Sequence, residues 1–202
     1  MLTRLFILSF FIISNLLINN TVFAEKIQID TAKSHLTWLG KKLGEDHGGV
    51  ISLKSGFIEI DDEELTGGEF VIDMNSIENT DIESPTYKKK LEDHLKADDF
   101  FNVAKFPEGK FVVKRVKNAK IPTNEALIIG ELTIKGITHT VQLPVMLKNL
   151  GGTYTGKGKT QIDRTKWEVK YNSKSFFSAA ELGDKLIYDD IDIGVNLVTA
   201  AQ

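Results

Sequence analysis

From residue 26 onward, apolar and polar residues alternate with a period of two, in stretches broken by glycine-bearing turns. Few folds tolerate this. Successive side chains of a strand point to opposite faces, so each such run has one wet and one dry face, and the dry face has to be buried by a partner sheet or by the sheet's own curvature. Candidate strands are Lys26 to Asp30, Leu36 to Lys42, Gly49 to Ile60, Glu69 to Met74, Lys110 to Val116, Ala126 to Lys135, Thr140 to Leu147, Tyr154 to Ile162 and Ile187 to Val198. About nine short strands at close spacing predict an all-β sandwich or barrel. Gly67-Gly68, Gly136 and Gly151-Gly152 stand where tight turns between neighbours are expected.

One segment departs from the alternation. Ser84-Pro85 reads as an N-cap and first helical position, and Tyr87, Leu91 and Leu95 then recur every four residues with His94 on the same side. Residues 84 to 97 are therefore expected to form a single inserted α-helix, with Lys88-Lys89-Lys90 mainly on its wet face. The helix, expected to cover an open end or face of the barrel, leads into Phe100-Phe101, an aromatic pair expected to pack inward.

Met1 to Arg4 is a short basic start, Leu5 to Leu17 an almost unbroken apolar run, and Val22-Phe23-Ala24 a cleavage pattern. Residues 1–24 thus read as a cleavable signal peptide, cut before Glu25, with residues 25–202 as one mature domain. The apolar run is shorter than the roughly 20 residues that a bilayer core requires, so stable membrane insertion is not expected. The localisation that follows is the periplasm, or the outside of a cell without an outer membrane. Removing Arg4 leaves 24 of the 25 basic residues against all 28 acidic ones, a net charge of −4, which argues against a nucleic-acid partner. The chain has no cysteine, so its stability rests on a packed core.

No catalytic signature is present: no nucleophile elbow, no Walker loop, no His-Glu-x-x-His pair, and no thiol for attack or metal ligation. His35, His47, His94 and His139 lack ligand spacing, so neither a metal nor another cofactor is expected. The acidic runs Asp61 to Glu64 and Asp189-Asp190 read as solvated turns. What the sequence does supply is bulk. Trp38, Phe57, Phe70, Phe100, Phe101, Phe106 and Trp167 are enough either to fill an eight-stranded barrel or to line a pocket in it, and composition does not choose between the two.

The order of several short motifs supplies a further reading. The chain carries Asp30, Ser34 and Trp38-x-Gly40-x-Lys42, then His47-x-Gly49 and Gly56. Ile72-Asp73-Met74-x-Ser76-Ile77 and Leu91-x-x-His94-Leu95-x-x-Asp98-x-Phe100-Phe101 with Phe106-Pro107 form the centre. Gly130-x-Leu132-Thr133-Ile134-x-Gly136-x-Thr138, Asp163-Arg164-x-x-Trp167, Asp184 and Asp189-Asp190-Ile191 follow. In this order the chain resembles the YceI family of secreted polyisoprenoid-binding proteins over essentially all of the mature sequence. One departure is that His35 follows Ser34 where many members place a histidine before the serine.

The resemblance implies an extended, lipocalin-like antiparallel barrel of about eight strands with the helix packed alongside, enclosing a long apolar cavity. It also implies an isoprenoid ligand, sometimes ending in pyrophosphate, or another fatty amphiphile. The expected cavity wall is Trp38, Phe57, Phe70, Leu91, Leu95, Phe100, Phe101, Phe106, Leu132, Ile134 and Trp167. A phosphate head group would need cations at the mouth, for which Lys42 and Arg164 are the leading candidates, with Lys41 and Lys135 behind them. Arg164 reads equally well as half of a structural ion pair with Asp163 or another carboxylate. The leading expectation is a non-enzymatic carrier, with a homodimer left open. Two alternatives stand beside it: a hydrolase-type enzyme using His94 with Asp98 on a lipid-like substrate, and a filled barrel that acts through its surface as a stress-response interaction module.

Overall fold

The computed structural model describes residues 24–201. The proposed signal peptide, apart from Ala24, lies outside the described residues. Ten strands follow in order: β1 (Glu25–Gln28), β2 (His35–Lys42), β3 (Glu45–Asp61), β4 (Glu64–Asp73), β5 (Glu78–Asn79), β6 (Glu108–Lys117), β7 (Thr123–Ile134), β8 (Ile137–Leu150), β9 (Thr153–Asp163) and β10 (Ile187–Val198). Two helices interrupt them, α1 (Pro85–Lys96) and the single turn α2 (Ala179–Leu182).

Eight of the strands close on themselves. Antiparallel neighbours run β3-β2-β10-β9-β8-β7-β6-β4, and β4 pairs back onto β3, so the sheet is a barrel with one lumen. The long strand β3 makes closure possible. Its first half pairs with β2 and its second half with β1, which takes over the place where β2 ends. Ser34, buried at the junction, ties this seam to β10: its hydroxyl donates to the carbonyl of Val198 and accepts from the Val198 N–H. His35, next in line, is exposed on β2.

The hairpins follow turn chemistry. Lys135-Gly136 and Gly151-Gly152 form two-residue loops with positive φ at both positions, the geometry whose twist matches that of the flanking strands. The third such loop is Asp62-Glu63, also with positive φ throughout. This corrects the expectation for Gly67-Gly68, which lie inside β4 rather than in a turn.

The helix lies where its pattern predicts, within a residue at each end. Leu95 is buried and Leu91 half-buried, but Tyr87 is 67% exposed, so the dry stripe is shorter than the fourfold spacing suggested. Pro85 starts the helix, while Ser84 makes no side-chain cap. Glu92 accepts the N–H of Asn79, and Lys88 pairs with Glu78, which fasten α1 to β5. The two-residue β5, the turn α2 and the short 3₁₀ turns were not foreseen from the alternation.

Two clusters of apolar side chains fill the lumen wall. One surrounds Phe70, Leu95, Phe100 and Trp167; the other surrounds Ile60, Ile121, Ile128 and Leu147. Ile58, Phe111 and Val113 touch both. Gly130 makes room for Phe111: a Cβ there would stand 2.3 Å from Phe111 Cζ and 2.8 Å from the Val112 carbonyl oxygen. Gly130→Val is expected to destabilise the fold by about 1–3 kcal/mol through this overpacking. Thermal unfolding of the variant should show a clear fall in Tm, by roughly 2–4 °C per kcal/mol for a domain of this size.

Candidate ligand-binding cavity

Because the strands alternate, one parity of each points into the lumen. Ile191, Ile193, Val195 and Leu197 of β10, Val141, Leu143, Val145 and Leu147 of β8, and Leu132 and Ile134 of β7 all face it. These side chains do not meet in the middle. They leave a cavity of about 200 Å³ measured to the centre of a water-sized sphere, where a single water needs about 10–15 Å³ on that measure. The cavity runs from Phe100, Phe101 and Arg164 at one end to Ile121, Tyr154 and Leu147 at the other. Among the described residues no histidine or carboxylate lines it, and Arg164 is the one charged lining residue.

Of the expected wall residues, Trp38, Phe70, Leu95, Phe100, Phe101, Leu132 and Ile134 line the cavity. The others are placed elsewhere. Phe57 points outward under the ammonium of Lys26, 4.3 Å from the ring centroid. The cause is a bulge in β3: Leu53 pairs with Ile72 and Ser55 with Val71, so two steps on β3 match one on β4. The inward parity therefore passes from Ile51 and Leu53 to Ile58 and Ile60, and Phe57 falls on the wet side. Leu91 packs against the core from outside the lumen. Phe106 covers Gly136 at the β7–β8 turn. Trp167 is 2% exposed and sealed into the wall, where its indole N–H donates to the Leu132 carbonyl at 3.2 Å and His139 sits edge-on to its ring.

The inward aliphatic residues of β8 and β10 are absent from the expected wall, which is weighted toward aromatic bulk. Strand parity alone would have found Val141 through Leu147 and Ile191 through Leu197.

The end of the barrel near α1 is covered by two segments. Residues 98–106, after the helix, bring Phe100 and Phe101 over the lumen. The stretch after β9, from Arg164, contributes Tyr171, which meets His94 at 4.4 Å and Phe100 at 6.5 Å between ring centroids. Lys135 ties them together. Its ammonium donates to the carbonyl of Phe100 at 2.8 Å and that of Glu168 at 3.0 Å, and burial lowers its pKa against the opposing pull of nearby acids, Glu168 first.

Arg164 is 1% exposed and donates to three backbone carbonyls: Nη1 to Val169 at 2.8 Å, Nε to Tyr188 at 3.1 Å and Nη2 to Ile187 at 3.1 Å. Asp189 Oδ1 stands 3.6 Å from Nη2, and burial lowers the guanidinium pKa against the opposing pull of Asp189 and Asp163. The ion-pair partner is thus Asp189; the side chain of Asp163 instead caps the following 3₁₀ turn by accepting from Thr165. Lys42 pairs with Glu45, and Lys41 with Asp192 at 3.0 Å, and neither lines the cavity.

His94 meets Asp99 at 3.2 Å rather than Asp98, and neither His94 nor Asp99 lines the cavity. His47 belongs to β3 and pairs with Asp81 at 2.8 Å. Among the described residues no helix is long and apolar enough to cross a membrane.

A closed antiparallel barrel whose lumen holds an apolar cavity, capped by a helix and a loop, is a lipocalin-like barrel. The match to known proteins narrows this class: the YceI-like domain family model covers residues 27–199, and the chain belongs to that family.

Among curated relatives, a UPF0312 protein of Staphylococcus aureus is 30% identical over 113 residues, 52% of this chain and 59% of that one. Protein YceI of Salmonella arizonae is 33% identical over 90 residues, 45% of this chain and 44% of that one. The chain thus spans roughly half the length of these relatives. Among solved structures, Burkholderia cenocepacia BcnA superposes with a TM-score of 0.66 at 23% identity, covering 85% of this chain and 99% of that one. A polyisoprenoid binding domain from Saccharophagus degradans superposes with a TM-score of 0.59 at 14% identity, covering 89% and 99%. Both share the fold.

Arg164 holds the chain after β9 against the start of β10, and a lysine cannot reproduce its planar fork. Arg164→Lys is expected to strand at least one buried carbonyl and Arg164→Ala also to leave Asp189 without its counter-charge. The alanine variant should cost about 3–5 kcal/mol and the lysine variant less. Urea unfolding followed by circular dichroism ranks the three proteins.

Proposed function

We propose that this protein binds a long-chain amphiphile, isoprenoid or fatty, within its barrel and carries or stores it without catalysing a reaction. The observation that carries this reading is the cavity: continuous, apolar along its length, and unfilled by the inward side chains. Each methylene moved from water into such a lumen gains roughly 0.8 kcal/mol, so ten give about 8 kcal/mol gross with no polar contact at all. Association costs of about 4 kcal/mol or more are set against this, so affinity grows with chain length. A wall without directional partners selects for length and girth rather than for one molecule.

The polyisoprenoid binding domain from Saccharophagus degradans, which shares the fold, supports an isoprenoid as one such ligand. The enzyme reading has less support, because acid–base chemistry needs a titrating pair in reach of the substrate. The His94–Asp99 pair sits outside the cavity. A filled barrel working through its surface is disfavoured by the same unfilled lumen.

The signal-like N-terminus supports export, and we place the function in the periplasm, or outside a cell that has no outer membrane. A sparingly soluble lipid in such an aqueous compartment needs an apolar container.

The test is to purify the protein from its native source, extract it with organic solvent and analyse the extract by mass spectrometry. An isoprenoid or fatty species at close to one per protein is expected. If none co-purifies and none binds when added, the carrier reading is wrong. A bulky wall substitution such as Ile193→Trp is expected to reduce the extracted lipid several-fold, whereas Phe57→Ala, on the outer face, should leave it unchanged.

A further inference from the structure

Apolar surface left in water is unevenly spread over this molecule. Among the described residues, Leu43, Tyr171, Phe176, Phe177 and Tyr188 are all substantially exposed, and all five belong to the end of the barrel where β10 begins. Tyr87, Met146 and Leu150 stand apart from them on α1 and β8. Backbone bonds draw the five together. The Leu43 N–H donates to the Leu186 carbonyl, that of Ile187 to Asn172, and those of Phe176 and Phe177 both to Ser173, which bridges to Ile187. The stretch from Lys170 to Ser178 is thus laid along the first residues of β10. Single exposed apolar side chains are ordinary, but a cluster of them marks a contact surface.

This surface adjoins the cavity. Ile187 and Tyr188 line the lumen, and Tyr188 is 40% exposed, so the same residue is wall on one side and surface on the other. The ladder is irregular at this place: β10 pairs with β2 at Ile187–Lys42 and next at Ile191–Gly40, four steps on one strand against two on the other. Gly40 lines the lumen too, and apart from its chain neighbours no heavy atom lies within 4 Å of the position its Cβ would take. The wall is therefore loosely paired and lightly filled beside the exposed aromatic residues.

The charges narrow the partner. Between Arg164 and Asp190 five basic residues, Lys170 and Lys174 among them, stand against five acidic ones, and the turn from Lys41 to Asp46 holds two of each. The four surplus negative charges of residues 25–202 thus lie elsewhere on the chain. A strongly charged partner gains little from such a surface. Lys170 lies over the Phe176 ring, 4.8 Å from its centroid, and Lys174 is exposed between Tyr171 and Phe176 in the sequence. Aromatic rings set among lysines, whose stems are apolar and whose ammonium groups stay wet, suit the head-group level of a bilayer.

Building on the carrier reading, we propose that this surface docks on a bilayer of zwitterionic lipid, with Phe176 and Phe177 entering the interface, and that the barrel takes up and releases its lipid at this end. Long-chain amphiphiles reside in membranes rather than in water, and one that leaves a bilayer beside Tyr188 meets the lumen with little of its chain exposed to water on the way. The contact is apolar and charge-balanced, so anionic lipid is not required.

The experiment floats the exported protein, as purified from its native source, with vesicles of phosphatidylcholine and with vesicles of phosphatidylcholine and phosphatidylglycerol in equal parts. The protein is expected to float with both, and at least as well with the first. It is expected to stay bound when salt is raised from about 0.1 M to about 1 M, which shortens the screening length from ~10 Å to ~3 Å. The double variant Phe176→Ala, Phe177→Ala is expected to bind about tenfold more weakly or worse, through the loss of two half-exposed rings. Leu150→Ala, which removes an exposed side chain at the opposite end of the barrel, should bind as the unaltered protein does. All three proteins keep the same N-terminus, so a difference between them belongs to the substituted residues.

No flotation of the unaltered protein, equal flotation of the double variant, or release at high salt overturns the proposal. So does a dimer in sedimentation velocity that the double variant loses, in a protein that does not bind vesicles, because the surface then serves a second copy of this chain. Binding of the neutral fluorophore N-phenyl-1-naphthylamine to the lipid-free protein keeps the carrier reading separate. Phe176 and Phe177 do not line the cavity, so the unaltered protein and the double variant are expected to bind it alike. Fluorophore binding without flotation refutes the docking alone, and binding of neither fluorophore nor vesicles refutes both readings. The comparisons of lipid and of salt use the unaltered protein and stand whether or not the variant folds.

Discussion

Closure of the sheet is the constraint on which everything else in this molecule depends. Once β4 pairs back onto β3, no strand edge is left among the eight, and every second residue must project into one shared lumen. Eight strands make a ring at the border between a packed core and a container, and the size of the inward side chains decides which it becomes. Here the inward set is chiefly Ile, Leu and Val with glycine at Gly130 and Gly156, and the ring is left partly empty. The cavity is thus a result of parity and side-chain size, not of any separate binding motif.

The covered end follows a different logic. Residues from two distant parts of the chain meet there, and polar groups hold them where apolar packing alone would leave a gap. Arg164 fixes the path from β9 to β10 through three carbonyls, and Lys135 bridges the two covering segments through two more. Each cation is spent on backbone. This is why cations that looked available for a phosphate when judged by residue type are structural when judged by partner.

Most of the fold was legible because alternation is a physical requirement of a half-buried strand and survives in the sequence. The nine expected strands are all present, and α1 lies within a residue of its expected bounds. What was illegible had local causes. The bulge near Lys54 reverses the inward parity of β3, so Phe57 was assigned to a wall it does not reach. Gly67-Gly68 resembled a turn by composition, although the chain reverses at Asp62-Glu63 five residues earlier. Asp189 and Arg164 are far apart in sequence, and nothing in the local pattern announces that they meet. Of the expected wall, Trp38, Phe70, Leu95, Phe100, Phe101, Leu132 and Ile134 reach the lumen, while Phe57, Leu91, Phe106 and Trp167 do not.

The two tryptophans of the chain stand in opposite situations. Trp38 lines the lumen, and its buried indole N–H has no acceptor among the described residues; Trp167 is locked into the wall with its N–H bonded to a carbonyl. An entering molecule changes the polarity and polarisability around the first ring and leaves the second almost untouched. The protein therefore carries its own optical gauge of occupancy, one emitter that senses the contents of the barrel and one that serves as an internal standard, with no label attached.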